Sequence, residues 1–229
     1  ISMSKNEVAV IILGAGKGTR MNSDLPKVLM PVDGKPMIRH IIDTLEEMKV
    51  SKIVTVIAPD GDLVKKEVSP YPTCVQEKQL GTGHAVLSAR NELCGFKGDI
   101  IVVFGDQPLY TKATFEKVIK KRREGYSVVC LGFRPDDPAR YGRLIMKDGA
   151  LQRIVEYKDA SEEERAVNFC NSGMMCFDGE TMFEILGTIS NENAAGEYYL
   201  TDAVAIALRK GLKLSLIHIS EPTRLGMIS

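Results

Sequence analysis

Net charge is the first thing the chain lacks: Lys and Arg total 30, and Asp and Glu also total 30. A balanced sum gives no field to draw the protein onto DNA, RNA or an anionic lipid surface, so neither nucleic acid nor membrane is an expected partner. Long apolar runs are missing too. Nothing approaches the roughly 18 residues needed to cross a bilayer, and the N-terminus has no basic-then-apolar leader. The expected location is cytoplasmic. Histidine is scarce, with His40, His84 and His218 scattered along 229 residues, which argues against a histidine metal site or a Ser-His-Asp relay. The five cysteines show no CxxC spacing and stand in or beside apolar stretches, so they read as reduced core residues rather than ligands or bridges. No repeat of 20 to 50 residues and no low-complexity segment is found.

What remains is the composition of one soluble globular domain, 44% hydrophobic and 26% charged. Segment 8–13 is a continuous apolar run with β-branched residues, and 52–57 and 99–104 are similar, the pattern of strands buried on both faces. Helical periods separate them. Pro36 opens one, with apolar residues at 37, 38, 41, 42, 45 and 48, and others cover 83–93 and 114–123. Alternating β and α predicts a parallel sheet whose strand C-terminal ends share one ligand-binding rim. Shorter strands are expected at 127–131, 144–146, 151–157 and 174–177, forming an extension or lid, and helices at 181–186 and 198–210. The two ends read differently. Met3 is a natural start, and Leu214 to Arg224, LSLIHISEPTR, resembles the translation of a transposase-type sequencing adaptor. Residues 3–213 are therefore read as the domain and 214–229 as a non-native tail, a natural β-strand being the other reading.

The first strand runs into Gly14-Ala15-Gly16-Lys17-Gly18-Thr19-Arg20, a glycine-rich turn whose amides can approach an anion. Its spacing fits neither the dinucleotide fingerprint nor the P-loop. Arg20 and Lys27 add two cations a short loop apart, a combination suited to a triphosphate. Asp106 follows the buried run DIIVVFG, where a carboxylate reaches the rim. Magnesium takes few protein ligands and borrows the rest from water and phosphate, so one such carboxylate suffices.

The motifs LGAGKGTRM, DLPKVLM, QLGTGHA, GDQPL, YGR, VEYKDA and GEYYLTD, in this order from Val8 to Lys213, resemble those of the N-acetylglucosamine-1-phosphate uridylyltransferases, the nucleotidyltransferase half of bifunctional bacterial enzymes in the sugar-phosphate pyrophosphorylase family. The resemblance implies an α/β fold of the nucleotide-diphospho-sugar transferase type: a Rossmann-like, mainly parallel twisted sheet flanked by helices, with a smaller β extension. It implies UTP and a sugar-1-phosphate as substrates and Mg2+ as cofactor. Nucleotide would be held by Leu13, Gly14, Ala15, Gly16, Lys27, Phe104, Gly105 and Asp106, with Gln76, Gly81 and Thr82 on the uracil. Arg20 and Lys27 would be catalytic, Asp106 the metal ligand, and Gly142, Glu156 and Asn171 the sugar contacts. The family's second metal ligand, an Asn, falls downstream of Lys213, as does the trimerising acetyltransferase β-helix, so a monomer without acetyl transfer is expected. Gly14 stands where the family pattern has Ala, and Phe104 where it has Tyr. A different base or sugar, or binding without turnover, remain the alternatives.

Overall fold

A computed structural model describes residues 6–16, 25–107 and 110–220. In chain order the elements are β1 (Val8–Leu13), β2 (Pro31–Val32), β3 (Lys35–Pro36), α1 (Met37–Glu47), β4 (Lys52–Ile57), α2 (Asp62–Val68), β5 (Thr73–Val75), α3 (Thr82–Leu87) and β6 (Asp99–Phe104). Then follow α4 (Lys112–Arg123), β7 (Val128–Phe133), β8 (Arg143–Lys147), β9 (Ala150–Val155), α5 (Glu162–Arg165), β10 (Cys170–Asp178), α6 (Met182–Leu186), α7 (Ala203–Arg209) and β11 (Leu214–His218).

The main sheet runs β11-β7-β10-β6-β1-β4-β5. β1 lies parallel to both β4 and β6, β4 to β5, and β7 to β11, while β10 is antiparallel to β6 and β7. β8 and β9 form a hairpin joined to β10 at Arg143 opposite Cys170. This is the expected α/β architecture with its β extension. β1 shows why the runs are apolar throughout: Ala9, Ile11 and Leu13 enter one core and Val10 and Ile12 the other. Residues of α3, α6 and α7 cover the first face and residues of α1, α2 and α4 the second. Both sides of the strands are thereby removed from water.

Local chemistry sets the boundaries. α1 follows Pro36, whose fixed φ of −53° leads into the helix, and it buries Ile38, Ile41, Ile42 and Leu45 as the spacing predicts. α4 is capped by the Thr111 side chain and ends in Lys120, Lys121, Arg122 and Arg123, the charge sign favoured at a helix C-terminus. Arg122 Nε and Arg123 Nε reach the two oxygens of the fully buried Asp99 at 2.6 and 2.8 Å, tying the end of α4 to the start of β6. At the opposite end of β6 lies the rim.

Several expectations are corrected. The helix read over 83–93 is broken: α3 stops at Leu87 and Arg90–Leu93 is a separate 3-10 turn. The helix read over 198–210 begins only at Ala203, because Tyr198 N and Leu200 N donate to Leu80 O and Thr82 Oγ1 instead of joining a helix. Cys94 is exposed and Cys74 partly so, whereas Cys130, Cys170 and Cys176 are buried, and all five are free thiols. Leu214–His218, where the expected tail begins, forms β11, a parallel strand on β7 that buries Ile217. Its alternation of partly exposed and buried positions is what an outer strand requires.

Candidate active site

β1, β4 and β6 end together, and the glycines sit where their ends meet. Gly14 N donates to Val56 O at 2.8 Å and Gly105 N to Leu13 O at 2.9 Å, so the chain leaving β1 is stitched to both neighbours. A Cβ on Gly105 would stand 2.8 Å from Val28 Cγ1, and one on Gly14 3.2 Å from Val56 O, whereas at Gly16 it would meet nothing within 4 Å. The first two glycines permit close packing; the third faces open space. Lys17 to Asp24 lie outside the described residues, and the expectation for Arg20 with them. So do Pro108 and Leu109.

Val28 and Leu29 bury themselves beneath the rim in a 3-10 turn, which leaves Lys27 at its mouth. Lys27 Nζ stands 3.4 Å from Asp106 Oδ2, with side chains 48% and 29% exposed. A pair this open contributes at most about 1 kcal/mol, so phosphate or metal can displace it at little cost. Among the described residues no group of three or more His, Cys, Asp or Glu side chains is placed to hold a metal. A lone rim carboxylate nevertheless suits a hard divalent cation that draws its other ligands from phosphate and water.

Beside the rim runs the segment from β5 to α3. Gln76 N donates to Ile57 O at 2.9 Å, and its side-chain Nε2 contacts Gly81 O at 3.2 Å and His84 Nδ1 at 2.9 Å. With His84 Nδ1 as acceptor the imidazole carries its proton on Nε2, and the Gln76 amide nitrogen is spent, leaving Oε1 to accept. Gly81 has φ +109°. A Cβ there would lie 2.6 Å from Tyr198 O and 2.8 Å from Tyr198 N. Tyr198 N donates to Leu80 O and Gly83 N to Tyr198 O, both at 2.7 Å. The Thr82 hydroxyl, expected at the base, accepts from Leu200 N at 2.8 Å. The motifs QLGTGHA and GEYYLTD are thus laced together, a partnership their separation in sequence conceals.

The three expected sugar residues also converge. Asn171 N donates to Gly142 O at 2.9 Å, and a Cβ on Gly142 would stand 3.6 and 3.7 Å from the Glu156 carboxylate oxygens. Asn171 opens a bulge in β10 that runs to Met175. Within it Gly173, at φ +107°, leaves Phe104 Cδ2 and the Gln107 amide 3.4 Å or less from its Cβ position. The bulge that Asn171 opens thus packs beside Phe104, one of the residues expected at the nucleotide. Sequence reasoning missed Thr201, whose Oγ1 donates to Glu156 Oε1 at 2.7 Å. Burial raises the Glu156 carboxyl above its ordinary value; the Thr201 hydrogen bond opposes the rise, and the charges of Asp202, Asp159 and Glu197 add to it. Burial also raises Asp202, with Asp159 adding to the shift and Arg209 opposing it.

The model of the MobA-like NTP transferase domain matches residues 10–170. The chain belongs to this nucleotidyltransferase family. Among curated proteins it is similar to the "Bifunctional protein GlmU" of Paramagnetospirillum magneticum, at 45% identity over 227 residues, covering 98% of this chain and 51% of that protein. The proteins of the same name from Ruegeria sp. and Rhodospirillum rubrum are 48% and 46% identical over 225 residues, covering 96% and 97% of this chain and 50% of each relative. The chain spans about half the length of these curated relatives. In this chain Gly14 to Gly16 and Asp106 follow directly on β1 and β6, and the 3-10 turn that Lys27 opens brings its ammonium to Asp106 at the same rim. No helix among the described residues is long and apolar enough to cross a membrane.

Proposed function

We propose that this nucleotidyltransferase joins UTP to N-acetylglucosamine-1-phosphate, forming UDP-N-acetylglucosamine and pyrophosphate. The observation that carries the reading is the β6–β10 seam: Lys27 and Asp106 stand on one side of it, and Gly142, Glu156 and Asn171 on the other. On this reading a phosphate-binding end and a hydroxyl-binding end share one boundary. Uracil fits Gln76, whose carbonyl oxygen is left to accept from uracil N3–H. The relatives are named bifunctional, and one activity is assigned here.

The attacking group is an oxygen of the sugar phosphate, whose second pKa near ~6 leaves it ionised at neutral pH without a general base. That oxygen bonds to the α-phosphorus as the bond to the bridging oxygen breaks, and pyrophosphate departs with the electron pair. Lys27 and the turn amides offer fixed positive poles to the growing charge, and Glu156 and Asn171 hold the sugar so that its phosphate is in line. Magnesium, held by Asp106 and substrate phosphate oxygens, would neutralise phosphate charge when bound. Arg20 is proposed to act with Lys27 on the phosphates.

The test is pyrophosphate release from UTP, CTP and dTTP, each with N-acetylglucosamine-1-phosphate and other sugar-1-phosphates, with and without magnesium. Highest kcat/KM for the UTP and N-acetylglucosamine-1-phosphate pair supports the proposal. UTP binding without release would make the chain a binding module, and a better rate with another pair would replace the substrates. A chiral α-phosphorothioate should be inverted; retention would overturn direct transfer.

Glu156 gives a pH prediction. Ionised, it accepts from sugar hydroxyls at both oxygens, whereas protonation turns one of them into a donor, so its raised pKa places the acid limb of kcat/KM for the sugar phosphate above the usual carboxylate range. Because the folded pKa exceeds the unfolded one, Glu156 favours folding below the unfolded carboxylate value, and that contribution is lost as pH rises through the folded value. Thr201→Val removes the hydrogen bond that favours the anion and should move the acid limb to higher pH. A limb that stays put or moves down would remove Glu156 from sugar binding.

A further inference from the structure

Gln79 sits in the middle of the segment between β5 and α3, and its side chain reaches back across the rim. Its Nε2 donates to Ala15 O at 2.7 Å, a contact spanning 64 positions in sequence. The segment that carries it is anchored on both sides, by Gln76 N to Ile57 O at 2.9 Å and by Tyr198 N to Leu80 O at 2.7 Å. Gln79 therefore reaches from a fixed base.

The carbonyl it holds belongs to the peptide linking Ala15 and Gly16. That unit is planar and trans, so fixing the direction of Ala15 O also fixes the opposite direction of the Gly16 N–H. Ala15 is packed in the core on one side of this peptide, but on the other a Cβ on Gly16 would meet nothing within 4 Å, and among the described residues no other hydrogen bond to this peptide is seen. Glycine without packing neighbours samples a wide range of ψ and φ, and ordering it only when ligand arrives costs affinity. We propose that Gln79 is a positioning residue that presets the Gly16 N–H toward the nucleotide's phosphates. This rests on the nucleotide reading above and extends it to a residue that reaches the ligand only through the turn.

The experiment compares wild type with Gln79→Met, which keeps length without a donor, and Gln79→Lys, which restores one. The Gln79 side chain is exposed, so melting should not change. In the ligand-free protein the 15N–1H resonance of Gly16 should shift or broaden in Gln79→Met and recover in Gln79→Lys. UTP affinity should fall about fivefold to tenfold in Gln79→Met, the loss of one neutral hydrogen bond, while uridine affinity and the KM for sugar phosphate stay within about twofold. An unchanged Gly16 resonance overturns the proposal whatever the nucleotide does. Equal losses for uridine and UTP also overturn it, since Gln79 would then act on the base. A wild type that binds no UTP, with the Gly16 effect intact, instead strikes the nucleotide reading and leaves the orienting contact standing.

Discussion

Asp106→Ala should lower the rate of pyrophosphate release at least about a hundredfold while leaving the melting temperature unchanged. The fold does not need this carboxylate: it is partly exposed on the turn after β6, and its described ion pair, to Lys27 at 3.4 Å, is too open to contribute more than about 1 kcal/mol. The proposed reaction does need it, because removing one preorganised group from a site of developing charge typically costs ~10²–10³ in rate. Lys27→Met should produce a loss of similar size. Combining the two should cost less than the product of the single effects, since the side chains adjoin and serve one phosphate group. Turnover under saturating substrates, read beside a thermal melt, decides it. A kcat within about tenfold of wild type for Asp106→Ala would remove that residue from the reaction.

Gly81→Ala should be the most disruptive single-methyl substitution at the site, costing about 3 kcal/mol of folding stability. Two penalties combine. The backbone stands at φ +109°, where an L side chain is strained, and the new methyl would lie 2.6 Å from Tyr198 O and 2.8 Å from Tyr198 N. Those atoms cannot step aside, because both are committed to hydrogen bonds with Leu80 O and Gly83 N. Relief would require parting the two motifs and moving Gln76, which holds Gly81 O. Gly16→Ala is the control: its methyl enters open space and should change stability by less than about 0.5 kcal/mol. Denaturant midpoints for the two variants test the contrast, and equal midpoints would refute it.

Elements whose burial is complete could be read from sequence. β1, β4 and β6 are dominated by apolar residues because both faces are covered, and α1 shows its stripe because one face is. β5 and α2 escaped: one has three residues, none buried, and the other seven, with Leu63 exposed. Site residues followed the same logic. The glycine turn, Lys27 and Asp106 stand beside strand ends, where local sequence already says what backbone and charge can do. Gln79, Thr201 and Leu200 have partners 64, 45 and 118 positions away, and no local pattern encodes such a meeting. That 214–218 form a strand is the other reading of this segment, and the local sequence does not choose between the two. A strand needs only a free edge and suitable alternation, and β7 offers that edge.

The place of β10 between β6 and β7 has a consequence for synthesis. When the ribosome has delivered residues up to 169, β6 and β7 both exist, yet they are not neighbours, and the antiparallel strand that joins them has not emerged. The nascent chain then holds the fragment β5-β4-β1-β6 with an open edge on β6, and β7 with neither β10 nor β11 beside it, each able to pair with a foreign strand. Closure waits for a segment of nine residues, Cys170–Asp178, to thread between them. The last steps of assembly are thus long-range in sequence and slow by topology, and the interval before them is when this chain has most need of a chaperone.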